Sequence, residues 1–112
     1  MPQYMLLLYG DPARWMKLSP EEMQKLTEKY MAWTQKPFTR DGKRLADDAG
    51  KVVRVKDGQK RATDGPYSET KEVLGGYYTI EAASYEEAVK LSLDHPQLEV
   101  GGTIEVRHVW GT

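Results

Sequence analysis

The stretch GGYYTIEAASYEEAVKLSLDHP, Gly75 to Pro96, changes its period halfway along, and that change decides the fold. Its first part, Gly75 to Ala82, is rich in β-branched and aromatic residues and reads as a strand with Tyr77 or Tyr78 facing the core. Its second part opens on Ser84, a helix-capping residue, with Glu87 three positions later. Tyr85, Ala88, Val89 and Ser92 then fall on one helical face. Pro96 is expected to end that helix, with His95 and Asp94 at its end.

Outward from this unit the same grammar repeats. Downstream, GGTIEVRHVW (Gly101–Trp110) alternates like a strand, with Ile104, Val106 and His108 on one side and Glu105, Arg107 and Val109 on the other. Upstream, YMLLLYG (Tyr4–Gly10) is a short apolar run, of a length that suits a buried strand. Loop residues including Trp15 and Met16 follow. SPEE (Ser19–Glu22) announces a helix: Ser19 as cap, Pro20 at the first helical position, Glu22 closing a capping box. Met23, Leu26, Tyr30 and Trp33 make its apolar stripe, and Pro37 predicts an end near Gln35.

Between these halves lies a charged insert. Arg40 to Arg61 holds eight of the sixteen Lys and Arg residues against four acids. KVVRV and QKRAT flank an Asp57-Gly58 turn, a hairpin signal. The order is therefore strand, helix, hairpin, strand, helix, strand. That predicts an α+β domain of ferredoxin-like β-α-β-β-α-β plan with an extra β-hairpin. Helices would cover one sheet face and leave the other bare, so a homodimer with sheets packed face to face is expected.

The 112 residues suffice for one domain, taken as 1–112. A net charge of −1 argues against a general nucleic-acid binder. The absence of cysteine excludes disulfides, thiolate catalysis and cysteine-held metal clusters. No apolar run approaches membrane-spanning length, and the first residues lack the basic region of a signal peptide, so a cytoplasmic location is expected. No glycine-rich phosphate loop and no chelating histidine pair occurs, and neither metal nor cofactor is expected.

Candidate site residues come from TDGPYSETKE (Thr63–Glu72) and its surroundings. Asp64-Gly65-Pro66 is first a turn: Asp bonds its own backbone, Gly accepts positive φ, and Pro fixes φ. Glu69, Lys71 and Glu72 exceed what a turn needs. They form weak surface pairs or project over a pocket mouth. The lysines and arginines of the hairpin, Arg54 among them, either blunt an exposed edge or form an anion-attracting rim. His95 at a helix end is a dipole-favoured cation there or a general acid/base titrating near neutrality. His108 packs in the last strand or faces a pocket. Tyr30 and Trp33 are core residues or the aromatic walls of a pocket.

TDGPYSETKEVLGGYYTIEA, with GGTIEVR after it and YMLLLYGD before it, resembles the YCII-related superfamily, and in it the DGPF-domain branch. Tyr67 stands where that branch has Phe, and Ser68 where it has Ala. The likeness spans nearly the whole chain, with Lys36 to Gly50 fitting poorly. It implies a dimeric α/β barrel of two ferredoxin-like subunits and fixes no reaction. Relatives fused or adjacent to extracytoplasmic-type sigma factors imply a possible regulatory role. Distant members of this architecture include muconolactone isomerases and small monooxygenases. Another branch pairs a first-helix histidine with an aspartate near the end of the second helix. Here Tyr30 or a neighbour occupies the first region and His95 the second, so that pair is not preserved.

The expectation is a homodimer with a cleft for a small anionic or aromatic molecule. Arg54, Asp64, Tyr67, Glu69 and Lys71 would form its rim, Tyr30 and Trp33 its walls, and His95 with Asp64 its proton-transfer pair, in isomerase- or lyase-like chemistry without a cofactor. The alternative is a regulatory interaction module that docks through Lys51 to Arg61.

Overall fold

A computed structural model describes residues 1–112. Along the chain run β1 (Gln3–Gly10), α1 (Pro12–Trp15), α2 (Pro20–Thr34), β2 (Thr39–Arg44), β3 (Lys51–Lys56), β4 (Gln59–Asp64), β5 (Val73–Glu81), α3 (Tyr85–Ser92), α4 (Pro96–Glu99) and β6 (Thr103–His108). β2, β5, β1 and β6 form one antiparallel sheet in that order, and β3 pairs with β4 in a separate ribbon. The protein is α+β, and the sheet order is compatible with a ferredoxin-like plan.

The first strand alternates in burial instead of being enclosed on both faces. Tyr4, Leu6 and Leu8 point to the helices. They sit opposite Ile80, Tyr78 and Gly76 on β5 and His108, Val106 and Ile104 on β6. Since side chains alternate across a strand, all of these share one face. Leu6 and Ile80 are fully enclosed there, with Trp33, Ala82 and Ala88 packed around them. Each such aliphatic side chain contributes about 1.5–3 kcal/mol by leaving water. Met5, Leu7, Tyr9, Tyr77 and Thr79 line the opposite, open face and are only partly covered.

The helix starts follow their sequence signals. Ser19 Oγ accepts from the Glu22 amide and the Glu22 carboxylate from the Ser19 amide, so the capping box is complete. The carboxyl of Glu22 is held below its usual range mainly by that backbone bond. Ser84 caps α3 in the same way, through the Glu87 amide. Two expectations need correction. Trp15 closes a short helix capped by Asp11 rather than lying in a loop. Pro96 does not terminate α3, which ends at Ser92; it occupies the first turn of α4. A ring that cannot donate a hydrogen bond is as suited to opening a helix as to closing one.

At the hairpin tip Asp57 and Gly58 have φ of 52° and 74°. Both central residues are thus left-handed, the two-residue turn that Asp-Gly favours. Along the ribbon Lys51 faces Asp64, Val53 faces Ala62, and Arg54 faces Arg61. No residue of β3 or β4 is buried. The radius of gyration is 15.8 Å, against about 13 Å for a compact chain near this length. The ribbon stands off the body.

Candidate functional site

One end of the sheet gathers the segments that the sequence singled out. Gly10 pairs with Val73, and Tyr9 lies between Leu74 and Thr103. The Thr103 hydroxyl donates to Glu72 Oε1 at 2.9 Å, tying the loop after Pro66 to the last strand. The Leu45 amide donates to the Gly75 carbonyl at 2.9 Å, so the ribbon leaves from this same end. YGD, ETKE and GGT, distant in sequence, therefore meet in space.

Under this end lies a buried polar cluster centred on Gln97. Its Nε2 donates to the Tyr9 carbonyl at 2.7 Å, and its Oε1 accepts from the Tyr30 hydroxyl. Its amide donates to His95 Nδ1 at 2.9 Å. Two glycines make room for it. A Cβ on Gly102 would lie 2.5 Å from Gln97 Nε2, and one on Gly10 would lie 3.0 Å from it. The Tyr78 hydroxyl donates a hydrogen bond to the Tyr30 carbonyl at 3.1 Å.

His95 is fully enclosed. The rings of Tyr30, Trp33 and Tyr78 stand edge-on around it at 5.1, 4.8 and 4.9 Å. Burial pushes its pKa down to about 4, against weaker opposing pulls from Asp94 and Glu99. It is therefore neutral at pH 7. Neither the dipole-favoured cation at a helix end nor the group titrating near neutrality is found: His95 is a neutral imidazole that caps the start of α4. Because Nδ1 accepts a hydrogen bond, the ring proton belongs on Nε2. Nε2 is the one buried side-chain nitrogen or oxygen without a partner. Burial also raises Tyr30 well above the usual phenol range, and Tyr78 to about 12.

Beside this box runs a shallow groove of about 200 Å³ between α2 and α4, floored by Trp33 and Pro96. The indole Nε1 of Trp33 donates to Asp94 at 3.2 Å. Lys29 pairs with Glu99 at 3.0 Å, and Lys36 with Asp94 at 3.9 Å. No group of three or more His, Asp or Glu side chains comes close enough to hold a metal ion.

The other sequence candidates lie elsewhere. Asp64 sits in solvent at the ribbon's root, paired with Lys51. No hydrogen bond links it to His95. Gly65 is not left-handed as the turn reading required. It is glycine for space, since a Cβ there would lie 2.1 Å from the Ala49 carbonyl oxygen. The Arg54 guanidinium lies 5.9 Å from the centroid of the Tyr67 ring. Glu69 and Lys71 are exposed nearby. Tyr30 and Trp33 do join His95. His108 stacks on Tyr4 at 5.0 Å, away from the cluster. Sequence reasoning passed over Gln97, although His95-Pro96 repeats the cap-then-proline order of Ser19-Pro20 and marks a second helix start.

The profile of the YCII-related domain matches residues 2–111. An uncharacterized protein of Rhizobium meliloti (strain 1021) is 32% identical over 111 residues, covering 93% of this chain and 89% of that protein. With the profile spanning almost every residue of this α+β sheet, the chain belongs to the YCII-related domain family.

Proposed function

We propose that the protein is a small cytoplasmic homodimer that binds a small aromatic or anionic molecule in the groove beside His95. In this reading two ferredoxin-like subunits pack their open sheet faces into a dimeric α/β barrel, as the resemblance to the DGPF branch implies. The carrying observation is the unpartnered Nε2–H of His95, enclosed by three aromatic rings. A buried donor without a partner costs about 1–3 kcal/mol, and a ligand oxygen would relieve it. Trp33 forms both the groove floor and one side of the box, so rotation of its ring admits the ligand.

The chemistry that suits this donor is proton transfer next to a carbonyl. A neutral imidazole N–H stabilises the oxyanion that develops, and no cofactor is required. A carboxylate must remove the proton. Asp94 is the carboxylate in the groove, whereas Asp64, the base that the sequence suggests, pairs with Lys51 at the ribbon's root and does not line it. Arg54, Tyr67, Glu69 and Lys71, the rim that the sequence suggests, do not line this groove; its charged rim is Lys29, Lys36, Asp94 and Glu99.

The test is ligand binding followed by nuclear magnetic resonance at His95, using a panel of aromatic and aliphatic keto acids. His95→Asn keeps a side-chain acceptor for the Gln97 amide and removes the Nε2 donor. The expected result is at least tenfold weaker binding in His95→Asn, and turnover lost in Asp94→Asn but kept in Asp64→Asn. Ligands that bind His95→Asn as tightly as the parent protein overturn the assignment.

A second reading, a regulatory module docking through its basic hairpin, is favoured by one observation. Arg54 and Arg61 face each other with no carboxylate on either. A pull-down of a sigma-factor partner that fails on Arg54→Glu would support it over the pocket.

A further inference from the structure

We infer that the β3–β4 ribbon is an arm that closes around a second copy of this chain. The inference rests on the homodimer reading and names the element that grips. It begins from an instability. An isolated two-stranded hairpin is marginal in water and needs a further layer. This chain gives the ribbon none: not one residue of β3 or β4 is buried, and Val53 and Val55 are 73% and 66% exposed.

The ribbon has two unlike faces. Val53, Val55 and Ala62 share one with Lys60, since Val53 is opposite Ala62, Val55 is opposite Lys60, and residues two apart in a strand point the same way. Arg54, Lys56 and Arg61 share the other, with the Tyr67 ring against Arg54. Arg54 directly opposite Arg61 is a repulsive cross-strand pair. An apolar strip backed by unneutralised charge is a docking surface, and its charge says for what.

Lys51 to Asp64 carries five cations and two carboxylates, a net of +3. The whole chain totals −1, so the remainder carries −4. The acid that would neutralise the arm is therefore present on this protein's own body, at equal stoichiometry. The arm does not lie on its own body, so the body it meets is another's. A two-fold axis makes two identical arm-to-body contacts from one set of residues.

The root is built to hold a direction. The Gly65 amide donates to the Gly50 carbonyl at 2.9 Å, and Lys51 pairs with Asp64 across the ribbon's first rung. Gly65 fits against Ala49 only because it lacks a side chain. The arm thus leaves the sheet end on a fixed path, which lowers the entropy lost on docking.

Hydrogen exchange of the intact protein, at concentrations above and below dimer dissociation, tests this without mutation. Amides of Val52 to Ala62 are expected to exchange at least tenfold more slowly in the dimer. Val53→Lys with Val55→Lys should weaken dimerisation at least tenfold, and raised salt should weaken the parent dimer. A dimer whose arm amides exchange as fast as the monomer's overturns the arm and leaves the sheet-face dimer standing. A monomer at every concentration overturns both. Protection of the arm only by an unrelated macromolecule also overturns it.

Discussion

At the residue scale, His95 sets a pH dependence whose sign follows from its environment. Its pKa falls from 6.5 to about 4 on folding. Between those values the unfolded chain binds a proton that the folded chain refuses, so stability is complete above pH 6.5 and declines as the pH falls toward 4. The loss amounts to about 3 kcal/mol. Urea unfolding at a series of pH values should show it, and His95→Asn should lack that part of the slope. Gln97 makes a second prediction. Gln97→Leu removes an acceptor from the Tyr30 hydroxyl and a donor from the Tyr9 carbonyl, costing about 2–4 kcal/mol of unfolding free energy. The sequence made Tyr30, Trp33 and His95 visible as candidates. It did not show that they touch, because their contacts depend on how α4 is laid against α2. Nor could it show that His95 is dry, since histidine's charge state is fixed by surroundings that come from three separate elements, α2, β5 and α4.

At the element scale, local grammar carried furthest. Ser19 and Glu22 form both bonds of the box that their spacing announces. Ser19→Ala should cost about 1 kcal/mol in thermal or chemical unfolding. Asp57-Gly58 makes the expected turn, and Gly58→Ala, placed at φ 74°, should destabilise the ribbon by about 1 kcal/mol, read as faster exchange of the Lys56 and Gln59 amides. Pro96 shows where the grammar is ambiguous. A proline after an amphipathic run fits both a stop and a new start, and only the bond from the Gln97 amide to His95 chooses. The turn at Gly65 was recognised for the wrong cause. Its neighbour Ala49 is sixteen residues away across the ribbon, a proximity that no local pattern encodes.

At the scale of the whole molecule, the α+β class and the open face followed from alternation and the order of elements, but β2 was hidden in the charged stretch that the sequence assigns to the hairpin alone. The open face is less apolar than a bare sheet would suggest. Tyr9 donates to Glu105 at 3.1 Å and Tyr77 to Asp41 at 2.8 Å, and these carboxylates raise both phenols, Tyr77 chiefly through its hydrogen bond and Tyr9 chiefly through burial. Leu7 sits amid this face, between Tyr77 and Glu105. Leu7→Lys should leave the subunit's stability within about 1 kcal/mol while abolishing the proposed dimer in light scattering. The order of strands carries one more consequence. β1 is made early yet lies at the centre of the sheet, with β5 and β6 as its neighbours. A ribosome adding about 5–20 residues each second leaves it waiting several seconds for Val73 to emerge, and longer for Thr103. Through that interval MLLLY is a sticky, unpaired ribbon of nascent polypeptide. Chaperone occupancy during translation should peak there and fall when the final strand clears the exit tunnel.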